Sequence, residues 1–208
     1  THKIIGIVTA GATLAVGIVT LFAFDYSEAG RLQFFVDAEW IPVINANYTV
    51  GMDGISLPLY ILSMAVTFLV MIYTWDNMPD AGNPKAFYIL MLVLQVGMAG
   101  TFMAQDLILF FVFFELVLLP MYFMIGVWGG EQRKYASLKF FLYTAFGSAL
   151  MIVSILAVYF LSPEVMVEGQ GMMHTFSIPA LSDWGGADLT RATALLVFGG
   201  FFMGFGIK

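Results

Sequence analysis

LILFFVFFELVLLPMYFMIGVW, residues 107 to 128, decides how the rest of the chain reads. The run is long enough to cross a bilayer as one helix, which takes roughly 20 apolar residues. Its single ionisable group, Glu115, falls near the middle. One helical turn to either side stand Phe111, Val112, Leu118 and Leu119, so nothing on its own helix can pair with it. A carboxylate at that depth costs about 3 kcal/mol on insertion scales. Glu115 is therefore expected to face protein or trapped water. Pro120 lies five residues further along. Its ring crowds the Leu116 carbonyl and removes one helical hydrogen bond, which predicts a kink just beyond the acid.

Composition says the same of the whole chain. It has 208 residues, 61% of them hydrophobic and 11% charged, with 21 Phe. Soluble domains run about 45–50% apolar and about 25% charged. An all-α polytopic membrane protein follows. The net charge of −6 says little about partners, because most of the acids lie in two loops. The absence of cysteine excludes disulfides, thiolate catalysis and cysteine-held iron–sulfur clusters.

Six apolar runs are expected to be spans: about 4–24, 55–75, 86–104, 107–128, 136–161 and 192–208. No soluble domain is expected between them. Pro42 and the Asn45–Asn47 pair predict irregular structure in the loop before the second span. Asp53 stands where a cap would, with Pro58 tolerated in the first turn. DNMPDAGNPK, 76 to 85, reads as a turn. Only Gln105 and Asp106 separate the third and fourth spans, which makes those two an antiparallel hairpin and Asp106 a turn residue. Since the chain starts without Met and stops inside an apolar run, it reads as a piece of a longer protein.

Orientation follows from the basic residues, which favour the cytoplasmic side. With Thr1 inside, Lys3, Lys85, Arg133, Lys134 and Lys139 lie on the inner face, and only Arg31 and Arg191 lie outside. The acids Asp25, Glu28, Asp37, Glu39, Asp53, Asp106, Glu164, Glu168, Asp183 and Asp188 then face out.

Glu115 has two readings: a proton-relay group, since ionisable residues deep in a span mark ion pathways, or an acid that only holds helices together. Lys139 reads first as an interfacial anchor with a snorkelling stem, and otherwise as a base within reach of Glu115. Lys208, at about 1.5 Å per residue, lies within a bilayer core if its helix continues, and is an inner-face anchor if the helix ends there. Gly199, Gly200, Gly204 and Gly206 contain one G-x-x-x-G, which permits close helix approach or weakens a helix before a break. His2 and His174 lie outside the apolar runs, so no intramembrane bis-histidine haem is available. No G-x-G-x-x-G or P-loop pattern appears. Redox chemistry by the chain's own residues is not expected.

FFELVLLPMYFMIGVWGG (113–130) and RKYASLKFFLYTAFGS (133–148) resemble the M-type membrane subunit of respiratory NADH:quinone oxidoreductase, complex I. VGMDGISLPL (50–59) and FFMGFGIK (201–208) extend the resemblance along the chain. It implies the N-terminal half of an antiporter-like helix bundle that translocates protons and carries no cofactor. NADH, FMN, iron–sulfur clusters and quinone would belong to other subunits. In that family a glutamate on the fifth helix pairs with a lysine on a broken seventh, and the matching positions are Glu115 and Lys208. Lys139 and Pro120 would support them. The implied partners are L-type and N-type antiporter-like neighbours and the lipid bilayer, with no nucleic acid. A bacterial plasma membrane is the implied setting, with mitochondrial inner or thylakoid membrane as alternatives. Mrp-type sodium/proton antiporters share the resemblance most nearly, and a purely structural membrane subunit is the alternative from another class.

Overall fold

The computed structural model describes residues 2–78, 82–167 and 171–208. Thr1, part of the 76–85 turn and Glu168 thus lie outside the described residues, and with them the sidedness of Thr1 and of Glu168. The helices are α1 (His2–Ala23), α2 (Ser56–Tyr73), α3 (Pro84–Met103), α4 (Leu107–Leu116), α5 (Leu118–Trp128), α6 (Arg133–Leu161), α7 (Ile178–Trp184) and α8 (Arg191–Ile207). Among the described residues, five stretches are long and apolar enough to cross a membrane: α1, α2, α3, Leu107–Trp128 taken through its break, and α6. The sixth expected span, α8, is a shorter apolar helix of 17 residues.

Local chemistry sets several helix starts. Asp53 Oδ1 accepts from Ile55 N at 3.0 Å and Ser56 N at 2.7 Å, while Ser56 Oγ accepts from Asp53 N at 2.8 Å. This reciprocal capping satisfies donors that the helix itself leaves open. Asn83 Oδ1 accepts from Lys85 N at 2.9 Å, with Pro84 at the first position of α3. Pro there forfeits no helical bond.

The loop before α2 corrects the expectation of irregular structure. It holds the paired strands β1 (Gln33–Ile41) and β2 (Ala46–Met52). Pro42 and Asn45 serve the connection instead of breaking the strands: Pro42 opens a short 3₁₀ turn, and Asn45 closes it in the left-handed region at φ 50°. Asn is among the few residues that enter that region readily. A second hairpin pairs β3 (Val165–Val167) with β4 (Gly171–Met173), Val165 opposite Met173. The protein is thus helical with two small sheets outside its apolar runs.

Two compact units emerge. The first comprises Thr1–Phe35, Gly51–Met103 and Phe113–Lys139. In it α1 turns its small residues Gly6, Ala10 and Gly17 inward. A Cβ on Gly6 would come within 2.6 Å of the Tyr88 ring, so glycine is what lets α3 lie this close. Ala10, Met71, Phe87, Tyr88 and Met91 form the core. Where α3 begins, Lys3 Nζ donates to Trp75 O at 2.6 Å, and the Phe87 and Trp128 rings meet edge-on at 5.4 Å.

The second unit comprises Val36–Val50, Ala104–Val112 and Phe140–Lys208. Its centre is the short connection between α3 and α4, held as an extended rung. Gln105 N donates to Thr49 O at 2.8 Å, Ile178 N donates to Gln105 O at 2.9 Å, and Leu107 N donates to Phe176 O at 2.9 Å. Tyr159 stacks on Phe176 at 4.1 Å, and His174 Nδ1 lies 2.9 Å from Ser162 O. Here too α6 and α8 pack through Gly147, Gly200 and Gly204. The G-x-x-x-G pair resolves in favour of close approach, while Gly199 and Gly206 face open space.

Candidate functional site

Of the kink expected at Pro120, the break in helical bonding is present. Helical bonding stops at Leu116 and resumes at Leu118, with Val117 between them in a helical conformation (φ −65°, ψ −29°). The interruption is therefore a lost hydrogen bond more than a change of direction. Pro120 has no N–H to give the Leu116 carbonyl, and the next bond, Met121 N to Val117 O, is long at 3.3 Å. Pro120 itself is fully buried.

Glu115 occupies the last turn of α4, half-buried. The helix beside it is α3, which approaches through glycines. A Cβ on Gly97 would sit 2.8 Å from Val117 Cγ2, 3.2 Å from Phe113 O and 3.3 Å from Val117 N, and one on Gly100 would collide with the Phe113 ring. Pairing 97 with 117 and 100 with 113 confirms that α3 runs antiparallel to this segment. Glycine lets the α3 backbone reach the interrupted turn that carries the acid. A Gly97→Leu variant should lose about 2 kcal/mol by overpacking this contact, measurable as a lower melting temperature of the full-length protein.

Nearby in the same unit, α3 carries a polar residue that sequence reasoning passed over. Gln95 is 3% exposed, and its Nε2 donates to Thr13 Oγ1 at 2.7 Å and lies 2.9 Å from Met64 Sδ. The available signal was one amide in the middle of an apolar helix.

Lys139 is exposed, with Nζ 5.8 Å from the centre of the Tyr135 ring on its own helix. That placement suits an interfacial anchor with a cation–π contact. Lys208 follows α8 directly and is exposed. The 17 residues of α8 put it about 25 Å from the Arg191 end, within the thickness of a hydrocarbon core of about 30 Å. Glu115 belongs to the first unit and Lys208 to the second.

Asp106 is the second correction. It is 1% exposed and caps α4: Oδ1 accepts from Ile108 N at 2.8 Å and Leu109 N at 3.1 Å, and Oδ2 accepts from Asn47 N at 3.1 Å. Burial pushes its carboxyl above the ordinary range; the three N–H donors oppose that, and the nearby Asp37 charge adds to it. An acid immediately before an apolar run is a cap signature, but nothing local announces that the cap is buried under β2. Among the described residues no group of three His, Asp or Glu is placed to hold a metal.

A multi-pass membrane protein with an antiporter-like fold is what these helices and this broken, acid-bearing span define. The family described as NADH:quinone oxidoreductase/Mrp antiporter, transmembrane, matches residues 104–208, and the chain belongs to it. An NAD(P)H-quinone oxidoreductase chain 4 from Picosynechococcus is 39% identical over 193 residues, which is 92% of this chain and 33% of that one. The F(420)H(2) dehydrogenase subunit M of Methanosarcina mazei is 38% identical over 149 residues, 72% of this chain and 30% of that one. The chain thus spans about a third of the length of the curated relatives it matches. Respiratory complex I from Thermus thermophilus contains a chain that superposes with a TM-score of 0.79 at 24% identity, covering 98% of this chain and 39% of that one. The Mrp complex from Dietzia gives 0.76 at 16% identity, covering 97% and 20%. These structures show the fold, and the relatives bear out the M-type resemblance.

Proposed function

We propose that this chain is part of the M-type, proton-translocating subunit of a quinone-reducing NADH dehydrogenase complex. The observation that carries the reading is Glu115, an acid in the middle of a span, on a turn whose helix loses its bonding beside Pro120. Such an acid is costly in hydrocarbon, and a neighbouring carbonyl deprived of its donor gives water or a proton carrier a place to bind. The family pattern assigns Glu115 and Lys208 to the proton route, with Pro120 shaping it and Lys139 anchoring or assisting at the membrane surface. The proton-motive step is driven by redox chemistry elsewhere: NADH, FMN, iron–sulfur clusters and quinone sit on other subunits, and L-type and N-type neighbours flank this one in the membrane. The named quinone oxidoreductase relatives favour this over an Mrp antiporter, whose likeness is one of fold. Cyanobacteria among the relatives suit a bacterial plasma or thylakoid membrane.

The test is proton uptake by vesicles holding the full-length protein in its native assembly, wild type against Glu115→Gln. NADH-driven uptake that falls to a small fraction in the variant, with the complex intact, is the expected result. Uptake that needs a sodium gradient instead of NADH would move the chain to the antiporters. Unchanged uptake would leave Glu115 as a packing acid.

A further inference from the structure

Between the end of α5 and the start of α6 lies a groove of about 370 Å³. Tyr122, Phe123 and Val127 wall it on one side, Lys134, Ser137 and Leu138 on the other. Its floor is the close approach of Gly126 to Ser137, where a Cβ on the glycine would lie 3.2 Å from Ser137 Oγ. That hydroxyl donates to Lys134 O at 3.1 Å. Phe123 and Leu138 are 47% and 51% exposed, so the groove opens on the surface that these two spans turn to their surroundings.

From this geometry we infer that the groove holds one anionic phospholipid, its headgroup phosphate at Lys134 and the start of an acyl chain along Phe123, Val127 and Leu138. Charge is the first argument. Lys134 is exposed and makes no ion pair among the described residues, and neither does Glu131, the acid of the same turn. Arg133 and Lys139 stand on the same helix turns, so this end of α6 is basic. Basic pockets between spans on the cytoplasmic side attract anionic headgroups at about 1 kcal/mol per cation, or about fivefold in affinity. Shape is the second argument: the groove is narrow, walled by Phe123, Val127 and Leu138, and open along the exposed faces of Phe123 and Leu138, which suits a slender acyl chain. The apolar walls favour a lipid over free phosphate. The inference stands whether or not the chain pumps protons.

The full-length protein in its native assembly would be reconstituted in phosphatidylcholine vesicles doped with photoactivatable phosphatidylglycerol, and the labelled peptides mapped. Label within residues 122–138 of the wild type is expected, falling about fivefold in Lys134→Gln and lost in Leu138→Trp, whose exposed ring fills the groove from the lipid side. Three results would each overturn the proposal: no label there, equal label from photoactivatable phosphatidylcholine without dependence on Lys134, or crosslinking of this segment to a protein subunit.

Discussion

Valine at both Gly200 and Gly204 is expected to destabilise the full-length protein by about 4 kcal/mol, at about 1–3 kcal/mol for each overpacked position. The contacts give the reason. A Cβ on Gly200 would collide with Ser154 Oγ and lie 3.0 Å from Leu150 O, and one on Gly204 would lie 2.7 Å from Met151 Cβ and 3.3 Å from Gly147 O. The hydroxyl could swing aside; the carbonyls belong to the α6 backbone and cannot move without shifting the helix. Membrane helices associate largely through such close packing, so losing it frees α8 from α6. The controls have the opposite sign. Gly199 and Gly206 meet nothing within 4 Å, so Gly199→Ala and Gly206→Ala should be neutral or stabilising by up to about 1 kcal/mol through helix propensity. Thermal unfolding in detergent reads both. Equal losses at all four positions would mean that the glycines loosen α8 and do not seat it.

Asp106→Ala is expected to cost about 3 kcal/mol. A lost cap accounts for about 1 kcal/mol, and stranding the half-buried Asn47 N–H for about 1–3 kcal/mol. The pH dependence has a definite sign. Burial holds the folded-state carboxyl above its ordinary range, so the folded protein binds this proton more tightly than the unfolded chain does. The group's contribution is then fullest below the ordinary carboxylate range and is lost as pH rises through the raised value. Asp106→Asn abolishes that titration while keeping one acceptor for Ile108 and Leu109. Its stability relative to wild type should therefore improve from about pH 4 to about pH 7. A difference that stays constant over that interval would show that the carboxyl keeps an ordinary proton affinity under β2.

What the sequence made legible follows from how local each cause is. The break after Glu115 is a property of proline and the carbonyl four residues before it, so Pro120 announced it. The reciprocal cap of α2 needs only Asp53 and Ser56. The hairpin of β1 and β2 was missed because Pro42 and Asn45, read as irregular structure, are the residues a tight connection between strands requires. Asp106 was visible as a polar residue between two apolar runs. Its burial depends on Asn47 and Phe176, distant in sequence, and no window around residue 106 contains them. The choice between the two readings of the G-x-x-x-G likewise belongs to Gly147 and Ser154 on another helix.

The two kinds of fastening seen at the helix ends respond differently to sequence change. Beside the rung at Gln105, the joints run through peptide groups: Thr49 O, Gln105 N and O, Leu107 N, Phe176 O and Ile178 N. Every residue but proline brings those groups, so the half-buried side chains at 105, 107 and 178 can be exchanged and the joint survives. Phe176, by contrast, is also held by its ring against Tyr159. Where α3 begins, the joints are shapes: the Phe87 and Trp128 rings edge to face, and Tyr88 seated on Gly6. No other residue reproduces an indole or a missing Cβ. A saturation library across both regions should therefore return broad tolerance at positions 105, 107 and 178, and near-uniform loss at Gly6, Phe87, Tyr88 and Trp128.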